Sequence, residues 1–367
     1  LLLRAVRAPC ELPTLSVEDW ELLLRVARRT RLLGRIEADL ARAGLLEHIP
    51  MQAANHLRAA RNVVVHRQTL VAWEVNRVQW ALQALDVPLV ILKGAAYVLA
   101  GLPAARGRLF ADLDLLVPLT QIEAVEETLV AHGWLRMKID PYDDRYYRVW
   151  MHEIPPLRHR ERKTEIDLHH TILPRTSRLK PDPALLLAAA RPLDDPRLRV
   201  LAPPDMVLHS LVHLFLEGDP VEGLRLRDLL DVRDLLDHFG QEPGFWEALV
   251  PRARELDLQR PLYYGLRFAQ SILGADVPAA ATSGAEHGAP TAPVRWLMDW
   301  LVPLAMLPEH PDYPRRSAAA ARWLLYARSH WLRMPPLMLV RHLGYKAWLR
   351  FRGVRKGVDL TQMDFKQ

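Results

Sequence analysis

Two aspartates stand out because their spacing could place both carboxylates on one face of a β-sheet. Asp112 and Asp114 lie in residues 111–117 (ADLDLLV), a pattern that predicts a strand. Side chains two residues apart share a strand face, so these carboxylates should point together while the leucines enter the core. Carboxylates this close repel each other, and Mg²⁺, which prefers carboxylate and phosphate oxygens, would relieve the repulsion. The structural alternative is a pair of exposed turn acids.

A third aspartate lies in a second predicted strand. In residues 164–169 (TEIDLH), Ile166 and Leu168 take the core face, and Glu165, Asp167 and His169 take the other. Three acids on neighbouring strands suit phosphoryl-type transfer with two metal ions, in which the third acid orients or deprotonates the attacking group. Asp112, Asp114 and Asp167 are therefore the predicted catalytic and metal-binding residues, provided that the two strands are adjacent.

These residues carry a family resemblance. The chain resembles the uncharacterised nucleotidyltransferase family of the polymerase-β-like superfamily over roughly residues 17–240. The resemblance rests on Leu92-Lys93-Gly94, Arg108, the strands at 112–117 and 165–169, and the helical pair 205–216 and 224–236 with His213 and Asp231.

The resemblance implies an α+β fold, with a small mixed β-sheet as the nucleotidyltransferase core and helical regions on its N- and C-terminal sides. It also implies that the turn at Gly94 faces a nucleoside triphosphate, held by Lys93, Gly94 and Arg108. Because His169 and His170 cannot share a strand face, only His169 can face the carboxylates, and we count it with the cofactor-binding residues. Relatives in the wider superfamily usually have Ser after this glycine. Here the residue is Ala95, and we expect Lys93 to supply the missing phosphate contact. The alternative for Arg108 is a solvated loop arginine.

The expected activity is transfer of a nucleoside monophosphate from an NTP to an acceptor, with Mg²⁺ or Mn²⁺ as cofactor. The sequence leaves the acceptor open among a small molecule, a sugar, a protein side chain and an RNA end. Two alternatives stand beside this prediction: a non-catalytic nucleotide- or partner-binding module on the same fold, and a nucleic-acid-binding adaptor.

Length and composition fit this prediction. The chain has 367 residues, of which 50% are hydrophobic and 25% charged, which argues against disorder. Its net charge of +6 suits anionic ligands without requiring them. The single cysteine, Cys10, excludes an intramolecular disulfide and a multi-cysteine zinc site. We expect a cytoplasmic protein, because the opening Leu-Leu-Leu-Arg is too short for a signal peptide and no apolar run is long enough for a transmembrane segment.

Changes in residue pattern divide the chain. We expect an N-terminal helical region (1–85), the α/β core (86–175), a helical domain (176–275), a flexible linker (276–290) and a C-terminal helical segment rich in Arg and Trp (291–367). Within the core, residues 134–139 and 146–158 are predicted as further strands.

Two signals have structural explanations that we favour. Residues 323–355 interleave aromatic and arginine side chains, which suits nucleic acid or an anionic membrane surface, although we favour a helical packing module with core aromatics and solvated arginines. Among the histidines, His209 and His213 suit core or supporting roles. The prolines after His152-Glu153 exclude a helical zinc motif there.

Overall fold

The computed structural model describes residues 1–351 except 111, 138, 218–223, 307, 309, 311 and 314, and it leaves out the side chains of 342, 343 and 346–351. The described part begins with helices, as their hydrophobic periodicity predicts. They are α1 (Leu2–Arg7), α2 (Val17–Arg29), α3 (Leu33–Arg42) and the long α4 (Met51–Ala81), with short 3-10 turns at Pro9–Thr14 and Leu46–His48. The Ser16 hydroxyl caps α2 by accepting a hydrogen bond from the backbone N–H of Asp19.

A seven-stranded mixed sheet follows, in the order β3-β4-β5-β2-β1-β7-β6. Its strands are β1 (Leu89–Ile91), β2 (Asp112–Leu116), β3 (Trp134–Arg136), β4 (Leu157–His159), β5 (Glu165–His169), β6 (Arg191–Pro192) and β7 (Leu198–Val200). β2 runs parallel to β5 and antiparallel to β1, while β7 is parallel to β1. The resulting α+β architecture, with helical regions on both sides of the sheet in the chain, confirms the predicted fold class.

Helices between and after the strands complete the part of the molecule that holds the acids. They are α5 (Lys93–Leu99), α6 (Ile122–Ala131), α7 (Pro141–Trp150), α8 (Pro183–Ala189), α9 (Pro203–Leu216), α10 (Leu226–Phe239), α11 (Phe245–Glu255) and α12 (Gln259–Leu273), with 3-10 turns at Pro103–Ala105 and Leu119–Gln121. α9 and α10 pack on each other and are buried along most of their length. Their polar residues are therefore internal, which requires partners for them.

The strand predicted at 146–158 was wrong over most of its length. Residues 141–150 form α7, and only Leu157–His159 is a strand. Asp140 caps this helix by accepting a hydrogen bond from Tyr142 N at 2.8 Å, and Pro141 occupies its first turn. This Asp-Pro start signal outweighs the β-propensity of the tyrosines and valine that follow.

The segment predicted as a flexible linker, 276–290, contains ordered helical structure. Residues Ala279–Ala285 form α13, and Glu286–Gly288 form a 3-10 turn. Ala281 and Ala285 are buried, and a Cβ on Gly288 would lie 2.1 Å from the carbonyl oxygen of Gln259. Small residues serve close packing against α11 and α12 here, which is why their composition resembled that of a linker.

The C-terminal segment is helical in its described part, with α14 (Ala292–Met306), α15 (Arg316–Arg333) and α16 (Pro336–Phe351). Trp323 and Trp331 on α15 are 61% and 47% exposed, so they do not form the core that a packing module would require. The remaining residues of the Arg- and Trp-rich stretch, 352–355, lie outside the described residues. Among the described helices, none combines the length and the apolar character that crossing a bilayer demands.

Two glycines join α3 to the loop that leads into β2. Gly107 has φ +63, and a Cβ there would lie 2.2 Å from the carbonyl oxygen of Gly34. A Cβ on Gly34 would lie 2.7 Å from the carbonyl oxygen of Gly107. Only glycine permits this backbone contact, which fixes the loop immediately before Arg108.

Replacing Gly107 should therefore be much more costly than replacing a glycine with the same backbone angle in open space. We expect Gly107→Ala to lower the free energy of unfolding by about 3 kcal/mol or more, because a left-handed conformation and a backbone clash combine. Gly44, with φ +70 and no neighbour within 4 Å, is the matched control. Gly44→Ala should cost about 1 kcal/mol. Equal losses in urea unfolding would contradict the proposed contact.

Candidate active site

The structure brings the three predicted acids onto one sheet face. β2 and β5 are parallel neighbours, with Asp112 opposite Glu165 and Asp114 directly opposite Asp167. The alternating residues Leu113, Leu115, Ile166 and Leu168 are buried on the other face. Adjacent strands in this register place same-face side chains about 5 Å apart, so the carboxylates are close neighbours.

The acids differ in their exposure to solvent. Asp112, at the start of β2, is exposed, Asp167 is half-buried, and Asp114 is only 5% exposed. The group is therefore open to solvent at the Asp112 end and closed behind Asp114. A ligand can reach it from the side where β2 begins.

Lys93 lies against the most buried of these acids. It is the first residue of α5, adopts a positive φ of +48, and places its Nζ 3.0 Å from Asp114 Oδ1. Burial disfavours its ammonium form, but the negative charges of Asp114, Glu217 and Glu153 hold the pKa of Lys93 well above its ordinary value. Lys93 is thus a permanent cation facing carboxylates, rather than a side chain extended toward open solvent.

Arg108 packs against the backbone of Gly94, at the turn between β1 and α5. A Cβ on Gly94 would lie 2.9 Å from Phe110 Cδ1 and 3.1 Å from Arg108 Nε. The glycine therefore allows close approach of these two side chains. That it also faces a triphosphate stays a prediction from the resemblance.

Arg108 is neither solvated nor free. Only 7% exposed, it is ion-paired with Asp231 of α10 and lies 3.8 Å from Asp228. Its guanidinium also lies over the ring of Tyr97. The solvated-loop alternative is thus wrong, and a phosphate contact from Arg108 stays a prediction that requires the ion pair to be shared or broken.

His169 links the acids to residues that the sequence analysis did not place at the site. Its Nε2 lies 3.0 Å from Asp114 Oδ1 and 3.5 Å from Glu153 Oε2. Glu153 pairs with His169 through an isolated antiparallel bridge, so the segment before β4 runs beside the end of β5. The ring centroid of His152 lies 5.2 Å from that of His169.

Glu217 was missed altogether. It follows α9, where its Oε2 lies 2.5 Å from His213 Nδ1, and its Oε1 lies 3.5 Å from His152 Nε2. The i, i+4 spacing of His213 and Glu217 was a usable signal for their pairing. Nothing local indicated that Glu217 would also meet His152.

The repulsion expected between the strand acids raises the pKa of only some of them. Burial opposes ionisation of Asp114, but Lys93 and His169 hold its pKa below its ordinary range. Burial and the charges of Glu153, Asp114 and Asp112 raise the pKa of Asp167 well above its usual value. Burial also raises the pKa of Glu153. The charge of Asp114 is therefore compensated by Lys93 and His169, whereas Asp167 and Glu153 lack a comparable compensation.

Comparison with known proteins identifies the family of this chain. A family model described as uncharacterised nucleotidyltransferase matches residues 16–274. The chain belongs to this family, which confirms the resemblance and supports a general role in nucleotidyl transfer.

A crystal structure of an antigenic nucleotidyltransferase-like protein from Paracoccidioides brasiliensis is also similar to this chain. It has 13% sequence identity and a TM-score of 0.29, and the match covers 59% of this chain and 95% of that one. No curated protein matches the chain.

The buried histidine of α9 gives this region a pH dependence. Burial and the nearby Lys93 ammonium lower the pKa of His209 from 6.5 to about 3. The unfolded chain therefore binds this proton more readily, so the stability is fully present above pH 6.5 and is lost as the pH falls below it, by up to about 1.4 kcal/mol per pH unit. We expect His209→Gln to reduce the difference between the melting temperatures at pH 7.5 and pH 5, measured by circular dichroism.

The control is His66→Gln, at an exposed position of α4, which should leave that difference unchanged. Other buried histidines also contribute, so the acid sensitivity should weaken in His209→Gln rather than vanish. An unaltered difference in this variant would show that His209 is protonated with little cost in the folded state.

Proposed function

We propose that the chain transfers a nucleoside monophosphate from an NTP to an acceptor, with Asp112, Asp114 and Asp167 as its catalytic carboxylates. The observation that carries this proposal is the parallel register of β2 and β5, which sets Asp114 opposite Asp167 beside the exposed Asp112. Membership of a nucleotidyltransferase family supports the same reaction class.

The donor set fits Mg²⁺ or Mn²⁺. Three carboxylates supply hard oxygen ligands. Burial and the charges of Glu153, Asp114 and Asp112 raise the pKa of Asp167 despite the nearby Lys93 ammonium, so a cation at this face would relieve a real cost. Asp112, Asp114 and Asp167 would hold the ions. When bound, such ions neutralise the triphosphate and polarise its α-phosphoryl group.

In the proposed reaction, an acceptor hydroxyl oxygen attacks the α-phosphorus of the NTP. The bond from that phosphorus to the oxygen bridging to the β-phosphate breaks, and pyrophosphate leaves with the electron pair. Asp167 is proposed to orient the hydroxyl or take its proton, because β5 holds its carboxylate directly opposite Asp114 on the same sheet face. The acceptor's class is open among small molecules, sugars, protein side chains and RNA ends.

Lys93, with Arg108 behind it, would hold the triphosphate. The Lys93 side chain is only 16% exposed and its ammonium is already fixed at Asp114, so it can contact a phosphate oxygen without first being ordered. Arg108 would add to this only by sharing its charge with Asp231.

A non-catalytic nucleotide-binding module on the same fold is the second candidate. The ion pair between Lys93 and Asp114 favours it, because this contact occupies an acid that the metal ions need. Ala95, which is buried and cannot donate a hydrogen bond to phosphate from its side chain, points in the same direction. Binding of NTP without transfer would favour this candidate.

The activity test uses NTPs labelled at either the α- or the γ-phosphate, with Mg²⁺ and a cell extract as the source of acceptors. Nucleotidyl transfer should leave the α-label on an acceptor and release the γ-label in pyrophosphate. We expect Asp112→Asn, at an exposed position where the fold is spared, to reduce transfer at least about 100-fold. Glu161→Gln is the control, an exposed acid in the turn before β5. Full activity in Asp112→Asn would refute the assignment of Asp112.

Lys93 should affect the two ligands in opposite directions. Lys93→Met removes a cation from the carboxylates, so Mg²⁺ should bind at least as tightly as to the parent chain, while NTP should bind more weakly by roughly tenfold. Calorimetric titrations with Mg²⁺ alone and with NTP in EDTA measure the two effects separately. A parallel loss of both affinities would indicate that Lys93 only supports the fold.

A further inference from the structure

Beside the three aspartates lies a group of donors with different chemistry. His152, Glu153 and His169 each offer one ligand atom, and these atoms lie within 4.8 Å of one another. We propose that this group binds a divalent transition-metal ion of the Zn²⁺ type, at a site next to the carboxylates assigned to Mg²⁺, where His169 Nε2 would exchange its contact with Asp114 for the ion.

The spacing of the donor atoms suits a shared ion better than direct hydrogen bonds. His169 Nε2 lies 3.5 Å and His152 Nε2 3.8 Å from Glu153 Oε2. These separations exceed the roughly 2.7–3.2 Å of good hydrogen bonds. In tetrahedral zinc sites with bonds of about 2.0–2.1 Å, ligand atoms lie about 3.3 Å apart. A small inward movement would therefore complete the coordination.

His152 is the clearest indication that a ligand is needed. Its side chain is 5% exposed, and its Nδ1 is buried without a hydrogen-bond partner among the described residues. Its Nε2 points between Glu153 Oε2 at 3.8 Å and Glu217 Oε1 at 3.5 Å, too far from either for a strong bond. A buried nitrogen held only by such long contacts is poorly satisfied, and a metal ion between these carboxylates would give Nε2 a direct bond. Glu217 then becomes the natural fourth donor.

The backbone holds these donors in place. His170 N donates to the carbonyl of His152 at 2.9 Å, and Ile154 N donates to the carbonyl of Leu168 at 3.0 Å. Glu153 and His169 are bridge partners between these bonds. The three ligands therefore lie on a short ladder of paired backbone, which is the rigid support that a metal site requires.

The choice of ion follows from the donors. Two imidazole nitrogens with one or two carboxylates suit Zn²⁺ and neighbouring transition metals, whereas Mg²⁺ prefers an all-oxygen shell. The proposal goes beyond the transfer reaction and does not depend on it, since metal binding can be measured without nucleotide.

Cobalt is the probe for the test. The full chain, stripped of metal, is titrated with Co²⁺ alone, and the visible absorption bands that report tetrahedral nitrogen coordination are followed, then displaced with Zn²⁺. We expect one equivalent of Co²⁺ to produce these tetrahedral bands. His152→Gln and Glu153→Gln should each weaken Co²⁺ binding by roughly 100-fold, at least the loss seen when a supporting residue of a metal site is removed.

Two controls separate this site from the aspartates. His170→Gln changes an equally buried histidine outside the group and should leave Co²⁺ affinity unchanged, as should Asp112→Asn. Circular dichroism verifies folding. If His152→Gln fails to fold, two other measurements test the site. They are Co²⁺ binding by Glu153→Gln, at a half-buried position, and the cobalt-shifted imidazole N–H resonances of the parent chain. Unchanged Co²⁺ affinity in Glu153→Gln, or an equal loss in Asp112→Asn, would overturn the proposal.

Discussion

The parallel pairing of β2 with β5 sets several carboxylates on one sheet face, and the surrounding polar structure balances their charge. Lys93 meets Asp114 at 3.0 Å, and His169 meets the same carboxylate from the other strand. The positive φ of Lys93 costs roughly 1 kcal/mol, which its contact with a buried acid offsets. Burial and the neighbouring carboxylates raise the pKa values of Asp167 and Glu153, so the cost of ionisation on this face falls on these two acids.

Buried arginine–aspartate pairs hold the helices around this face. Arg108 pairs with Asp231, while Arg35 of α3 pairs with Asp39 and with Asp234 of α10. These contacts join α3, the loop before β2 and α10. Removing one partner of a buried pair leaves an unpaired charge, which is strongly destabilising. The buried charges thus fall into two groups. The arginine–aspartate pairs fix the helices, and the carboxylates of β2 and β5 stay accessible to solvent at Asp112.

The sequence predicted a large part of the fold and some of the site. Alternation placed Asp112 and Asp114 on one face of β2, and Asp167 and His169 on one face of β5, as the structure has them. The matching family model confirms the resemblance, which was carried by short motifs. Where local signals competed, the prediction was wrong: the Asp140-Pro141 helix start outweighed β-propensity in α7, and the small residues of α13 serve packing rather than flexibility.

The sequence by itself determined which side chains share a strand face, because side-chain direction alternates with local backbone geometry. Only the tertiary structure decided that β2 and β5 are neighbours and that Arg108 is ion-paired with Asp231. It also decided that His152, Glu153 and Glu217 meet near His169. These contacts join residues far apart in the chain, so no local pattern contains them. The charge state of each carboxylate depends on distances through space, which exist only once the chain has folded.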